Sequence, residues 1–291
     1  MEISDISNLI LPDWPMPANI RACVTTRFAP NSQSQNSFSS DYDFFNLAIH
    51  VGDHSDSVEQ NRQALQKVLQ LPSQPFWLSQ QHTDKSICLP IDAQPTNTVL
   101  PPIADASWTQ KSGIVCVVMT ADCIPILLCD SHGQTVCAIH AGWQGLENQI
   151  IAKTLKSLPA GDYLAWIGPA ISQKRFEVGQ EVFDRFQHLP AGACTRKGVD
   201  AQEGACTRKG FDAPECRDYE SLFKPSLSEE GKYLADLPMI AQMQLEACGV
   251  QSVYLSGLCS YDDERFYSYR KACHQGDGKT GRMASLIWIE S

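Results

Sequence analysis

Three closely spaced apolar runs between residues 113 and 142 limit the folds open to this chain. They cover residues 114–120, 124–129 and 135–140, and each has the length of a buried strand. The segment DSHGQ, between the second and third runs, has the composition of a tight turn. We therefore predict that these last two runs pair as an antiparallel hairpin.

Strands mixed with helices are predicted along the rest of the chain, without an obvious linker. The further strands are predicted at 20–27, 76–78, 86–89, 163–168, 253–257 and 284–289. Helices are predicted at 58–70, with Asp56 and Ser57 as its cap, and at 145–158, 181–188 and 234–248. Such a mixture favours an α/β or α+β domain.

A tandem repeat interrupts this pattern. GACTRKGVDAQE (192–203) is followed at once by GACTRKGFDAPE (204–215). Two units of twelve residues are too short for a solenoid, whereas surface loops tolerate insertions. We interpret 192–215 as a duplicated surface insertion and leave Cys194 and Cys206 out of the search for a site.

Charge and cysteine usage exclude several classes of partner. The net charge of -10 argues against a general nucleic-acid or anionic-membrane surface, which would repel the chain. The apolar runs are too short to span a bilayer, and the acidic start MEISDISNLI does not resemble a signal peptide. We expect a cytoplasmic protein whose 12 cysteines are reduced, and the sequence has no CxxC pair for a zinc ribbon.

The hairpin brings two reactive side chains together. Cys123 precedes its first strand and His140 ends its second, so antiparallel pairing makes them neighbours. Strand alternation turns Cys137 to the opposite face from His140. A Cys–His pair can form an activated thiolate nucleophile, or it can be half of a zinc site that needs a third ligand. His82, in LSQQHTD, is a candidate for that ligand, and both chemistries stay open at this point.

Several motifs along the chain resemble those of one family. They are NLAIHVGD (46–53), EQNR (59–62), QQH (80–82), TADC (120–123), HAGWQGL (140–146), IGPAI (167–171), FYSYR (266–270) and TGRMASLIW (280–288). Their order and spacing resemble the YfiH family, also described as laccase-like multicopper polyphenol oxidases and as purine nucleoside phosphorylases. The resemblance covers nearly all of residues 1–291, with 192–215 as the main insertion.

The resemblance implies a fold and a metal centre. The fold would be a single α+β domain, built as a layered α/β/β/α sandwich with mixed sheets. The metal would be zinc, held by His82, Cys123 and His140. Copper suits the sequence less well, because it lacks the HxH pairs of a multicopper oxidase.

The resemblance also implies an activity. Members cleave adenosine, inosine and methylthioadenosine with phosphate to a free base and a ribose 1-phosphate, and some deaminate adenosine. Arg62, Arg270 and Arg282 lie in matched motifs and could bind phosphate. Gln144 stands where the family commonly has arginine, which predicts weaker phosphorolysis. The alternatives are a metal-free cysteine hydrolase or amidase that uses Cys123 and His140, and a factor that edits peptidoglycan precursors.

Overall fold

Strands and helices alternate along the part of the chain that the structure describes. The computed structural model describes residues 6–31, 42, 44–90, 100–189 and 219–290. Its strands are β1 (Leu9–Ile10), β2 (Ile20–Thr25), β3 (Ser86–Cys88), β4 (Ala106–Thr109), β5 (Val115–Thr120), β6 (Ile124–Asp130), β7 (Val136–Ala141), β8 (Tyr163–Ile167), β9 (Glu177–Gly179), β10 (Phe223–Pro225), β11 (Lys232–Ala235), β12 (Ser252–Leu255) and β13 (Met283–Ile289). Its α-helices are α1 (Ser55–Leu69), α2 (Trp143–Glu147), α3 (Ile150–Ser157), α4 (Gln180–Gln187), α5 (Leu237–Ala247) and α6 (Tyr269–Gln275).

The strands form two large sheets and one small one. The first sheet is antiparallel, in the order β1-β2-β13-β5. The second has six strands in the order β12-β8-β6-β7-β4-β3, with parallel pairs at its two edges and antiparallel pairs between them. A small antiparallel sheet, β10-β11-β9, lies apart from these two. The predicted hairpin is therefore the centre of the mixed six-stranded sheet.

One apolar layer lies between the two large sheets. Val118 and Ile287 of the four-stranded sheet pack in the same buried cluster as Leu127 and Ala138 of the six-stranded sheet. These side chains alternate with neighbours that point to the outer faces, as the period of two in a strand requires. The two sheets therefore pack face to face.

Helices cover the outer face of each sheet. Leu65 of α1 packs on the four-stranded sheet with Val117 and Leu286. On the other side, α3 and α5 pack with α4 against the six-stranded sheet, where Ile126 and Ile139 join their apolar residues. The layer order is α/β/β/α, which confirms the predicted fold class.

Three local predictions were wrong. Residues 76–78 do not form a strand, because Phe76 makes only an isolated bridge to Cys116. Helix α1 begins at Ser55 behind His54, which provides no side-chain cap, so neither Asp56 nor Ser57 is the cap. The helix predicted at 145–158 is divided into α2 and α3 at Gln149, whose positive φ of 60° interrupts the helical backbone.

Two predictions from the sequence concern the chain as a whole, one on the repeat and one on membrane spans. The repeat at 192–215 lies outside the described residues, so its placement as a surface insertion within a single domain stays a prediction. Among the described residues, no helix combines the length and the apolar character needed to cross a membrane.

Candidate metal centre

The turn that carries Cys123 connects the two large sheets. β5 ends at Thr120 in the four-stranded sheet, and β6 begins at Ile124 in the six-stranded sheet. In the register of β6 with β7, Ile124 is opposite Ala141 and Pro125 is opposite His140. The predicted pairing is thus confirmed, and it places Cys123 beside the end of β7.

The structure brings the side chains of His82, Cys123 and His140 into one cluster. One ligand atom of each lies within 4.8 Å of the others, so the three side chains could hold a metal ion. Sγ of Cys123 is 3.5 Å from Nε2 of His82. The two imidazole rings meet edge to face, with centroids 4.9 Å apart. Three residues from distant parts of the sequence therefore converge on one point.

Asp105 orients this cluster from behind. Its fully buried carboxylate contacts Nδ1 of His140 at 2.7 Å, so Nε2 is the ring nitrogen left for a metal. The same carboxylate accepts hydrogen bonds from the backbone N–H groups of Gln81, His82 and Thr83, and from the Thr83 hydroxyl. One buried anion therefore holds both the His140 ring and the backbone that carries His82.

The charges of these groups reinforce one another. Burial opposes ionisation of the Cys123 thiol, but the adjacent His140 and His82 rings outweigh it and lower the pKa of the thiol to about 6. Burial also opposes protonation of His140, yet Cys123 and Asp105 raise the pKa of its ring to about 9. The same contacts, with those from Thr83, overcome burial and lower the pKa of Asp105 to about 2. Without a metal, these contacts therefore favour a thiolate–imidazolium pair of Cys123 and His140.

Gly142 leaves the space that the cluster occupies. A Cβ atom at this position would lie 2.5 Å from Cδ2 of His82 and 3.0 Å from Sγ of Cys123. Any side chain here would displace the donor atoms, so the glycine permits the close approach of β7 to the cluster. One thiolate and two imidazoles around such a space suit a borderline metal such as zinc.

The three predicted phosphate-binding arginines have different surroundings. Arg282 lies close enough to Cys123 for the two charges to interact, although burial lowers the pKa of the guanidinium overall. Arg62 packs on the ring of Trp77 and donates a hydrogen bond to the carbonyl of Leu47, and burial lowers its pKa to about 10. Arg270 turns its guanidinium to the carbonyl of Glu177, 2.9 Å away.

A fourth basic residue, His50, lies near two of these arginines, Arg282 and Arg62. Burial and then the positive charges of Arg282, Arg62 and His140 lower the pKa of the His50 ring. His50, Arg62 and Arg282 are therefore near one another and near the cluster. We call these three residues the basic group.

Gln144 is exposed in the first turn of α2, directly beyond Gly142. Its neighbour Trp143 is half-buried against the helical layer, and the guanidinium of Arg185 lies 5.8 Å from the centre of its ring. The position of Gln144 is thus close in sequence to the cluster, and its side chain brings no charge there.

Asp105 was not predicted from the sequence as part of the site. Asp105 lies directly before β4, in the apolar context of ADASW, and an acidic residue at the entry to a buried strand was the available signal. Its partner is set by the pairing of β4 with β7, in which Ala106 is opposite Ile139. That pairing joins segments about thirty residues apart, so spacing in the sequence does not reveal it.

The chain is similar to known proteins over nearly its whole length. The model of a family described as "Multi-copper polyphenol oxidoreductase laccase" matches residues 21–290. A purine nucleoside phosphorylase of Pseudomonas aeruginosa is 38% identical over 284 residues, which are 97% of this chain and 98% of that protein. Purine nucleoside phosphorylase YfiH of Escherichia coli (strain K12) is 37% identical over 98% of this chain and 100% of its own.

Solved structures agree with the observed fold. The crystal structure of a Neisseria meningitidis protein superimposes with a TM-score of 0.76 and 34% sequence identity, and the match covers 98% of this chain and 100% of that one. The similarity therefore extends over both sheets and their helices.

Proposed function

This chain belongs to the multi-copper polyphenol oxidoreductase laccase family, as its resemblance to the YfiH family predicted, and we propose that it is a zinc-dependent purine nucleoside phosphorylase. The substrates proposed are adenosine, inosine and methylthioadenosine, which would give a free base and ribose 1-phosphate or methylthioribose 1-phosphate. Deamination of adenosine is proposed as a side activity. The observation that carries the proposal is the cluster of His82, Cys123 and His140 in a chain whose relatives are named purine nucleoside phosphorylases.

The donor set favours zinc over copper oxidase chemistry. Three protein ligands that leave a position open are typical of catalytic zinc. The family description names several coppers, which would need further imidazoles, but the seven histidines of the sequence include no HxH pair, and the described residues contain this one candidate cluster. Zinc bound there supplies a Lewis acid that can polarise a substrate atom and lower the pKa of a water molecule.

Side chains of the protein have the other roles in the proposed reaction. Asp105 keeps the proton of His140 on Nδ1, so Nε2 stays available. Arg62 and Arg282 of the basic group supply local positive charge for phosphate in a chain of net charge -10, whereas their charges lower the pKa of the His50 ring and favour its neutral form. In phosphorolysis a phosphate oxygen attacks C1′ of the ribose, the bond from C1′ to N9 of the purine breaks, and the base leaves and takes up a proton.

The candidate phosphate ligands are not equivalent. Arg282 is favoured because its charge interacts with Cys123 and with His50, although its Nη1 already donates to the carbonyls of Thr280 and Gly281. Arg62 comes second, since one face of its guanidinium already packs on Trp77. Arg270 is the weakest candidate, because its guanidinium is engaged with the carbonyl of Glu177. Gln144 supplies no charge, and weaker phosphorolysis than in relatives with arginine at this position stays a prediction.

The thiolate–imidazolium pair favours a second candidate function. A thiol whose pKa is lowered to about 6 by adjacent imidazoles can act as a nucleophile without a metal. The protein would then be a cysteine hydrolase or amidase, with Cys123 as nucleophile and His140 as the base that has taken its proton. The metal content of the protein and the alkylation rate of Cys123 separate the two proposals, because a thiolate that binds a metal is protected from alkylation.

The direct test is an assay of metal-replete protein with adenosine, with and without phosphate. We expect adenine and ribose 1-phosphate to form only with phosphate. Smaller amounts of inosine should form without phosphate, and with phosphate this inosine should be cleaved to hypoxanthine. Chromatography of the bases and metal analysis are made on the same sample. The proposal would be abandoned if the sample contained one zinc per chain and formed neither product, or if Cys123 were alkylated rapidly in protein as purified.

Replacement of Arg282 with methionine should weaken the use of phosphate. A charge-assisted hydrogen bond to phosphate contributes about 1.5–3 kcal/mol, so the KM for phosphate should rise by roughly 10- to 100-fold. Steady-state kinetics with varied phosphate measure this. Arg265→Met is the matched control, because Arg265 is an exposed arginine paired with Asp263. An unchanged KM for phosphate in folded Arg282→Met would show that Arg282 does not bind it.

A further inference from the structure

Asp122 is a buried carboxylate directly before Cys123 that is not part of the donor cluster. It is 8% exposed, and both of its carboxylate oxygens are used inside the protein. Oδ1 accepts a hydrogen bond from the Ser260 hydroxyl at 2.7 Å, and Oδ2 accepts one from the backbone N–H of Arg270 at 2.6 Å. Its backbone carbonyl accepts a third from the N–H of Ile171 at 2.9 Å. Three separate segments therefore hold this one residue.

The backbone at Asp122 is in a conformation that needs such support. Its φ is 97°, a region that residues with a side chain rarely adopt. Backbone strain of this kind persists where surrounding contacts fix the residue. The three hydrogen bonds provide that fixation.

The direction of the next side chain depends on this conformation. A change of φ or ψ at Asp122 rotates the following peptide and the Cα–Cβ bond of Cys123 with it. Only residues 121–123 separate β5 from β6. Few rotatable backbone bonds in this turn could therefore compensate for such a rotation. The separation of 3.5 Å between Sγ of Cys123 and Nε2 of His82 therefore depends on how Asp122 is held.

We propose that Asp122 is a positioning residue for the metal centre, acting through the backbone to aim Cys123 at His82 and His140. This inference rests on the proposed metal-dependent function, because it gives Asp122 a purpose in ligand geometry. A residue that only anchors α6 and the segment around Ser260 would make the same hydrogen bonds, so the test has to measure the environment of Cys123 itself.

The test uses cobalt(II) in place of zinc, because the thiolate-to-cobalt absorption band reports the Cys123 bond directly. For Asp122→Ala we expect a 10- to 100-fold loss of cobalt affinity and a weaker band. Asp122→Asn should stay within about 3-fold of the wild type, since its amide oxygen can accept from Arg270 and its NH₂ can donate to the Ser260 hydroxyl. Ser260→Ala removes one bond and should fall between the two.

A buried carboxylate at the other end of β6 provides the matched control. Asp130 accepts backbone hydrogen bonds from His132, Gln134 and Thr135. Asp130→Ala should lower thermal stability and leave the cobalt affinity and spectrum unchanged. Should Asp122→Ala fail to fold, Ser260→Ala decides in its place, and an affinity and spectrum identical to the wild type would overturn the proposal.

Metal-free protein supplies a reading that does not depend on the proposed function. The alkylation rate of Cys123 is the rate that disappears when Cys123→Ala is introduced. Measured in this way in the wild type and in Asp122→Ala, the two rates should differ severalfold. Absence of cobalt binding in the wild type would refute the metal centre, and the alkylation rates would still decide the role of Asp122. Folded Asp122→Ala with wild-type alkylation, cobalt affinity and spectrum would refute that role.

Discussion

Cys123→Ala is expected to lose the bound metal and to reduce nucleoside turnover by about 10³-fold or more. The change removes the thiolate from a cluster with three donors, and two imidazoles hold zinc weakly. Metal catalysis commonly accounts for several kcal/mol of transition-state stabilisation, and each 1.4 kcal/mol corresponds to tenfold in rate. Metal content and kcat/KM for adenosine with phosphate are measured on the same sample.

Cys137→Ala is the control for this experiment. Cys137 is buried in β7, the strand that ends with His140 and Ala141, but its side chain packs in the outer apolar cluster. This variant should lose some stability and keep both metal and activity. Retention of one zinc per chain in Cys123→Ala would refute the ligand assignment. Loss of activity in Cys123→Ala, from a wild type that contains no metal, would favour the cysteine hydrolase.

The central hairpin could be predicted because its determinants are local. Two apolar runs with a turn between them specify the pairing of β6 with β7, and the alternation of side chains specifies their faces. Cys137 and Ile139 indeed pack against the helices, whereas Val136 and Ala138 face the other sheet. The proximity of Cys123 and His140 followed from these two rules alone.

Features that depend on distant contacts escaped prediction. The apolar residues 76–78 have a strand-like composition but are buried as loop residues, since Phe76 makes just one bridge to β5. The interruption between α2 and α3 occurs at Gln149, a residue with no helix-breaking signal of its own. Short strands such as β9 and β10 are formed by pairing across the small sheet, and their three residues carry no pattern.

The metal centre likewise combines features that the sequence predicts with features that depend on distant contacts. Spacing alone made His82 one candidate for the third ligand, and the family resemblance selected it. The structure adds the reason that it reaches the cluster: its backbone has a positive φ of 58° and is held by the Asp105 carboxylate. The conformation of His82 has no local signature, and the ADASW context of Asp105 does not identify its partners, because both depend on β4 lying beside β7.

Asp105→Asn is expected to lower metal affinity by about 10- to 100-fold and stability by about 3 kcal/mol or more. Each carboxylate oxygen accepts at least two hydrogen bonds, Oδ1 from His82 and His140, and Oδ2 from Gln81 and Thr83. The NH₂ group of asparagine would therefore face N–H donors in either orientation. Where it faces His140, the ring must move its proton to Nε2, the nitrogen that a metal needs. Metal titration and urea unfolding of EDTA-treated protein measure the two effects.

Acid unfolding measures how much the charge of Asp105, as distinct from the size of its side chain, contributes to stability. Because the folded-state pKa of this carboxyl is lowered to about 2, from about 3.9 in an unfolded chain, its contribution to stability is complete above pH 4 and disappears as the pH falls through 2. The metal-free wild type should therefore lose more stability than Asp105→Asn between about pH 4 and pH 2. Asp130→Asn, at a buried carboxylate at the far end of β6, should lose stability and keep its metal affinity. Equal metal affinities for wild type and Asp105→Asn would mean that the His140 ring needs no carboxylate to orient it.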